Sequence, residues 1–433
     1  HYWLLYLHPL TWLGFSWISS VLISNAILIF CSFLCGFFVI LWGLVGSRII
    51  SKIDISSQKE SFVFTRVALV SLLWALGELI LSQTPFLWIG IGESLIPGDL
   101  YLAGLARLIG SPGVCFMVIF IGFWIFFIFE KWKRKLNFNK VFVAGTVIIF
   151  FLHLIGGYLI QPNNARNSLY PIAIWQTNIP TREKLFDNSQ RTTEQIIIEQ
   201  EKALSNNAKL LVAPEGTLKT NFIFKEPSKI NTLIGGFRKE KNSIRNSLLG
   251  FKKGDKYYSD FVDKHRLVPL GERIPGIFNK FFNLSSLGAI ESGNHKRYFE
   301  WDNSPPFAAI ICYEITDGLK IRNAVKEGSK FILTIANLDP YPSKIFDQYL
   351  SLARMRSIEN NIDTIISSNT GPSGLVRNDG RIDKFMESNK EGNEVVYTYL
   401  SNKKTFYTYY GIWPLLITSI FLTIYIKFFE KIK

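Results

Sequence analysis

Hydrophobic and polar positions divide the chain into three zones. Long apolar runs fill the sequence before residue 161 and after residue 410, while between them short apolar runs alternate with charged stretches of helical period. A helix needs about 20 mostly apolar residues to cross a bilayer. Val21–Gly46, Phe62–Leu81, Val114–Phe129 and Val141–Ile160 read as spans on that scale, and Gly411–Phe429 reads as a last one. The pattern predicts a polytopic α-helical membrane domain over 1–165, an α/β domain over 166–405 and a C-terminal transmembrane helix over 406–433.

Two stretches of the first zone break the pattern. His8-Pro9-Leu10-Thr11-Trp12 with Trp17 reads as interfacial, because indole rings settle at headgroup level. Gln83–Ser111, with Pro85, Trp88, Glu93, Pro97 and Asp99, is too broken for a span and reads as interfacial or re-entrant. Glu78 lies inside a span, either as a functional acid or as a side chain reaching the interface. The chain opens on His1 inside the apolar stretch Tyr2–Leu7, too short to cross, so a longer front is expected. Orientation comes from the basic segment Lys131–Lys140, which the positive-inside rule places in the cytoplasm. The next span then delivers the middle domain to the opposite side. Lys427, Lys431 and Lys433 after the last span agree.

In the middle zone, Tyr170–Trp175, Leu210–Ala213, Thr232–Gly235, Ser247–Gly250, Phe307–Ile311, Phe331–Ile335, Thr364–Ile366 and Val395–Thr398 read as strands. Helical patterns lie at Thr192–Ser205, Leu319–Lys326 and Ile345–Ile358, the first with Ile196, Ile197 and Leu204 inward and Glu194 and Glu201 outward. Alternation of this kind predicts an α/β domain with buried sheets. Two strand exits and one polar loop carry chemistry. Phe307–Ile311 runs into Cys312-Tyr313-Glu314, which sets a thiol at the lip of a buried strand, as a packed core residue or as a nucleophile. Leu210–Ala213 runs into Pro214-Glu215-Gly216, a turn acid or a base. Lys264, Arg266 and Glu272 lie in a polar stretch after Phe261-Val262-Asp263. Acyl transfer by a thiol needs a base, a nucleophile and a fixed positive charge for the oxyanion, and Glu215, Lys264 and Cys312 supply those types in chain order.

Composition narrows the reading. Of 433 residues 48% are hydrophobic and 15% aromatic, rich for a soluble chain. The formal net charge of +14 raises nucleic acid as a partner, but no basic stripe carries interleaved aromatics and many Lys and Arg flank apolar spans, so no nucleic-acid partner is expected. Cys31, Cys35 and Cys115 fall in apolar spans and Cys312 has no partner in the middle zone, against a disulfide framework. The five histidines have no ligand spacing, so neither metal nor other cofactor is expected.

Pro214-Glu215, Lys264-x-Arg266-Leu267-Val268-Pro269-x-Gly271-Glu272-x-x-Pro275 and Ile311-Cys312-Tyr313-Glu314 resemble the Glu-Lys-Cys signature of the nitrilase superfamily. Gln176-x-Asn178-Ile179-Pro180, Ala353-Arg354-Met355-Arg356-x-Ile358-Glu359, Leu73-Trp74 through Glu78, and Trp413-Pro414-Leu415 narrow the resemblance to the bacterial apolipoprotein N-acyltransferase family. It covers nearly the whole chain. What it implies is an αββα sandwich for the middle domain and a monomeric enzyme of the bacterial inner membrane with its catalytic domain on the periplasmic side. That enzyme would move a fatty acyl chain from a phospholipid, through a Cys312 thioester, to the α-amine of a diacylglyceryl-cysteine apolipoprotein. The resemblance makes Glu215 the general base, Lys264 the oxyanion partner and Glu272 a second acid, with Tyr313 and Glu314 supporting the pocket. It also implies about two further spans in front.

The sequence departs from the family at Ala336-Asn337-Leu338-Asp339-Pro340-Tyr341-Pro342 and at Leu185-Phe186, positions expected to shape loops over the pocket. Two other readings stand beside this one: a membrane-tethered amidase or phospholipid acyl hydrolase that gives its acyl group to water, and a non-catalytic binding protein on the same fold.

Overall fold

The computed structural model describes residues 11, 15–51, 59–84, 87–161, 168–181, 183, 189–241, 243–268, 272 and 290–432. Outside them lie most of the His8–Trp12 segment, Tyr2–Leu7, Pro85, Leu185, Phe186, Pro269, Gly271, Pro275 and Lys433. The chain folds as a helical unit over 29–161 with 405–433 and an α/β unit whose body lies within 162–404.

The chain is a membrane protein. Among the described residues, four helices are long and apolar enough to cross a bilayer: α1 (Trp17–Ile50), α2 (Glu60–Ser82), α5 (Ala106–Lys133) and α6 (Asn139–Leu159). Helices α3 (Ile91–Ser94) and α4 (Leu100–Ala103) are single turns, and α10 (Phe406–Tyr410) leads into α11 (Trp413–Ile432). Burial is inverted relative to a water-soluble bundle, as lipid as solvent requires. Phe33 and Phe421 are exposed while Arg66 and Ser71 are buried. Arg66 Nη1 donates to the Ile49 carbonyl at 2.8 Å and Trp42 Nε1 to that of Val70 at 2.9 Å. Glu78 faces inward: Oε2 accepts from Trp74 Nε1 at 3.2 Å, and Oε1 accepts from the Ile91 N–H at 3.0 Å, satisfying one of the free donors that open α3.

The broken stretch before the third span behaves partly as expected. Among its described residues the turns α3 and α4 precede Ala106, and α5 begins there rather than at Val114. The helix breaks at Gly110, whose φ of 68° favours glycine and where a Cβ would stand 2.3 Å from the Tyr407 ring. Pro112 falls just after the break, in a first turn where its missing N–H leaves no bond unmade.

The α/β unit contains two six-stranded sheets. In the first, β1 (Leu169–Gln176), β2 (Leu210–Leu218) and β3 (Thr232–Glu240) are parallel neighbours, flanked by antiparallel β12 (Gly392–Tyr399) on one edge and β4 (Ser243–Phe251) with β5 (Asp260–Asp263) on the other. In the second, β7 (Phe307–Ile311), β8 (Ile332–Ala336) and β9 (Thr364–Ser368) are parallel, flanked by β6 (Tyr298–Phe299) and by β10 (Gly374–Val376) with β11 (Ile382–Phe385). The sheets face each other, close enough for the Ser367 hydroxyl of β9 to donate to the Trp175 carbonyl of β1 at 3.1 Å. Helix α7 (Ser189–Ser205) packs on the first sheet; α8 (Gly318–Glu327) and α9 (Ser343–Asn360) pack on the second. This is the αββα sandwich. Strands β7, β8 and β9 are buried along their whole length and β2 along nearly all of it because both of their faces are covered, and β7 is apolar throughout.

Three local expectations change. Leu204 points outward at 40% exposure, and Ile196 with Ala203 and Gln200 forms the buried face of α7 instead. β3 and β4 extend into a long hairpin beyond Thr232–Gly235 and Ser247–Gly250. Strands β5, β6, β10 and β11 were not anticipated, because runs of two to four residues carry no period.

Candidate active site

Lys264 and Cys312 stand at strand exits and Glu215 in a bulge near the end of its strand, the region where open α/β sheets gather ligand-binding groups. Glu215 sits in a bulge of β2. Ala213 pairs with Ile234 and Leu218 with Gly236, so Pro214–Thr217 all face the single residue Gly235. A Cβ on Gly235 would lie 2.5 Å from the Glu215 Cα and the Pro214 carbonyl oxygen, so only glycine admits this backbone. Lys264 follows directly on β5, its N–H donating to the Asn246 carbonyl of β4 at 2.8 Å. Cys312 opens a 3-10 turn, Cys312–Thr316, immediately after β7. Its φ is 51°, in the left-handed region that a non-glycine residue enters at a cost and keeps only when its surroundings enforce it.

Glu215, Lys264 and Glu272 meet in a buried cluster, with Cys312 in its electrostatic field. Lys264 Nζ lies 2.8 Å from Glu215 Oε1 and 2.8 Å from Glu272 Oε2. Asn246 Nδ2 donates to Glu215 Oε1 at 2.8 Å and to Glu272 Oε1 at 2.7 Å, bridging the two acids. Glu215 Oε2 accepts the Asn337 N–H at 2.9 Å, and Glu272 Oε2 accepts that of Val268 at 2.8 Å. Burial opposes the Lys264 charge, but Glu215 and then Glu272 outweigh it and raise the pKa well above the ordinary lysine value. The ammonium is therefore permanent. Burial first, then the Glu215 carboxylate, push the Cys312 thiol well up, and Lys264 acts in the opposite direction. The resting sulfur is thus protonated, so attack needs a proton acceptor in place, and Glu215 is in its field.

Glu314 is fully buried. Its Oε1 accepts from the His265 N–H at 2.6 Å and from Nδ1 of the same residue at 2.5 Å; its Oε2 accepts the Ile311 N–H at 2.8 Å. Arg297 Nη1 donates to both oxygens, at 2.9 and 3.0 Å. Burial opposes ionisation of Glu314, yet Arg297 and His265 hold its pKa down at about 2. Tyr313 is buried with the Arg266 guanidinium 5.0 Å from its ring centre. Arg356 Nε donates to the Ile315 carbonyl at 3.3 Å and pairs with Glu359, bracing the far end of the Cys312 turn.

The Gln176-x-Asn178-Ile179-Pro180 run is also tied to the site. Asn369 Nδ2 donates to the Ile179 carbonyl at 2.7 Å and to Asn337 Oδ1 at 3.0 Å, and its Oδ1 accepts the Ile179 N–H at 3.0 Å. That fixes Asn337, whose N–H meets Glu215. Tyr341, in the stretch that departs from the family pattern, stands in the field of the cluster; burial and then Cys312 push its phenol far up. Sequence reading missed Asn246, His265, Arg297 and Asn369. Asn337 and Tyr341 lie in the loop whose sequence departs from the resembled pattern.

Among the described residues no group of three His, Cys, Asp or Glu is placed to hold a metal. The arrangement can do acyl chemistry at sulfur: a buried thiol, a carboxylate to receive its proton, and a permanent cation for a carbonyl oxygen becoming an anion.

No protein-family model matches the chain. It is 55% identical over 423 residues, 98% of this chain and 85% of the relative, to an apolipoprotein N-acyltransferase of Prochlorococcus marinus subsp. pastoris. A second Prochlorococcus marinus apolipoprotein N-acyltransferase is 39% identical over 436 residues, 100% of this chain and 86% of the relative. Among solved structures, an amidase of Nesterenkonia sp. matches with a TM-score of 0.41 and 14% identity over 55% of this chain and 94% of its own. Nit3 of Saccharomyces cerevisiae, a nitrilase-superfamily member, matches with a TM-score of 0.39 and 18% identity over 54% of this chain and 90% of its own.

Proposed function

The chain belongs to the apolipoprotein N-acyltransferase family, and on that premise we propose that Cys312, Glu215 and Lys264 carry a two-stage acyl transfer from a phospholipid to a lipoprotein amine. The observation that carries the assignment of residues is the buried cluster itself, with Lys264 Nζ 2.8 Å from both Glu215 and Glu272 and in the field of Cys312.

In the first stage the Cys312 sulfur attacks the ester carbonyl of a phospholipid while its proton passes to Glu215. The carbonyl oxygen becomes an anion beside Lys264. Collapse breaks the ester C–O bond, the departing lysophospholipid oxygen takes the proton from Glu215, and a thioester remains on Cys312. In the second stage the α-amine of a diacylglyceryl-cysteine attacks the thioester carbonyl and gives a proton to Glu215. Loss of the thiolate forms the amide, and the proton returns to sulfur. Glu272 holds the Lys264 ammonium from its other side. Both substrates are anchored by acyl chains, which fits a catalytic unit carried on membrane helices. The basic segment Lys131–Lys140 supports a periplasmic position for that unit in the inner membrane.

The test is the fate of the acyl group. Full-length protein in detergent is incubated with phosphatidylethanolamine and a synthetic diacylated lipopeptide. The reading expects equal amounts of N-acylated lipopeptide and lysophospholipid. Free fatty acid in place of acylated peptide would make the protein a hydrolase and overturn the acceptor.

A further inference from the structure

Two catalytic residues that lie 48 positions apart in sequence, Lys264 and Cys312, are indexed to one buried ion pair. Arg297 and Glu314 are both fully buried, and their side chains meet at 2.9 Å. Arg297 Nη2 donates to the carbonyl of Asp263, the residue before Lys264, at 2.9 Å, and to that of Asn294 at 2.6 Å. Glu314 accepts the N–H of His265, the residue after Lys264, and the N–H of Ile311, the residue before Cys312. The pair therefore grips the backbone on both sides of the lysine and at the start of the cysteine turn. A simple structural ion pair would be expected to tie elements together anywhere in the core. This one touches the chain next to the two reacting groups, and one of those turns is held in the left-handed region, where a side chain stays only if its neighbours enforce it.

Resting on the acyl-transfer reading above, we propose that Arg297 is a positioning residue of this enzyme, which acts through Glu314 to set the Lys264 ammonium against the Cys312 sulfur. The planar fork of arginine is what the geometry uses: one nitrogen satisfies both oxygens of Glu314 while the other holds two carbonyls. Lysine preserves the charge but cannot hold all four acceptors at fixed angles.

The test compares wild type, Arg297→Lys and the neutral pair Arg297→Gln with Glu314→Gln, all as full-length protein in detergent. The neutral pair leaves no unpaired buried charge, so it keeps the test available should the single variant not fold. Two readouts are taken on the folded fraction. One is the concentration dependence of Cys312 thioester formation from phosphatidylethanolamine. The other is the alkylation rate of Cys312 by iodoacetamide, followed on its own peptide. Misplacement of reacting groups by an ångström costs on the order of 100-fold. Both altered proteins are expected to lose ~10- to 100-fold in the saturated rate of thioester formation with unchanged half-saturation, and Cys312 alkylation is expected to slow in both. Wild-type saturated rates and wild-type alkylation in either folded variant would overturn the positioning role. The alkylation readout does not depend on the acyl donor. Wild type that alkylates at Cys312 but forms no thioester would therefore count against the acyl-transfer reading, while the alkylation comparison still decides the role of Arg297.

Discussion

Replacing Lys264 by Met separates the two things this ammonium does. The side chain is buried and touches two carboxylates at 2.8 Å, which Asn246 in turn bridges. Removing one partner of a buried ion pair costs ~3–5 kcal/mol, because the remaining charge has neither water nor counterion. Here two acids lose their shared cation, so a loss of about 4 kcal/mol is expected at neutral pH. For a domain of this size that is a fall in Tm of roughly 8–16 °C. The rate effect is distinct. An oxyanion partner is worth about 100- to 1000-fold in kcat, so thioester formation in the folded fraction should fall by that factor. Adding Glu272→Gln to Lys264→Met removes one of the stranded charges. The double variant should recover a large part of the lost stability and none of the lost rate. Thermal unfolding in detergent and single-turnover thioester formation read the two quantities on the same samples. A double variant that regains wild-type rates would refute the oxyanion role, leaving Lys264 as a mere neutraliser of acids. A Lys264→Met protein as stable as wild type would refute the buried cluster.

Other consequences follow from single contacts. Gly235→Ala should displace the Glu215 backbone, since its methyl group would stand 2.5 Å from the Glu215 Cα; thioester formation should drop at least tenfold, by analogy with the cost of misplacing a catalytic group by about an ångström. Asn369→Ala cuts the tie between Ile179 and Asn337, and with it the support of the N–H that meets Glu215. It should lower the same rate while leaving Cys312 accessible to alkylation. Glu314 carries a pH signature. Its pKa is depressed from an ordinary 4.5 to about 2, so the stabilisation is fully present above pH 4.5 and disappears as pH falls toward 2. At ~1.4 kcal/mol per pKa unit it amounts to roughly 3 kcal/mol. The unfolding free-energy gap between wild type and Glu314→Gln should narrow by about that amount over this window, and a gap independent of pH would show that the carboxylate is not held by Arg297.

The elements that sequence patterning located are those with room for a period. Buried β7, β8 and β9 and the helices α8 and α9 appear near their expected places, because short apolar runs such as Phe307–Ile311 and the helical spacing of apolar residues in α8 stand out from the polar stretches around them. The outward Leu204 shows the limit of the same method: the buried stripe of α7 runs through Ala203 and Gln200, and Gln200 is inside because Ser228 and Thr232 accept its amide. At the site, Glu215 and Cys312 were legible since each follows an apolar run that reads as a strand, and Lys264 because it sits in a recognisable run. Arg297, Asn246 and Asn369 were not. Each acts through hydrogen bonds to residues far away in sequence, and a polar residue reads alike in a sequence whether it faces water or a buried carboxylate. The Asn337–Pro342 stretch looked like a departure in its side chains, yet the Asn337 contact to Glu215 is made by the backbone and survives the change of sequence.

The central claim is that Cys312 takes the acyl group from a lipid. Intact mass spectrometry of the full-length protein, purified with phospholipid and compared with Cys312→Ala, tests it directly. The account predicts a fatty acyl adduct on wild type, absent from the variant and discharged by hydroxylamine or by a diacylated lipopeptide. Wild-type protein whose Cys312 is alkylated by a thiol reagent but never carries an acyl group would contradict it.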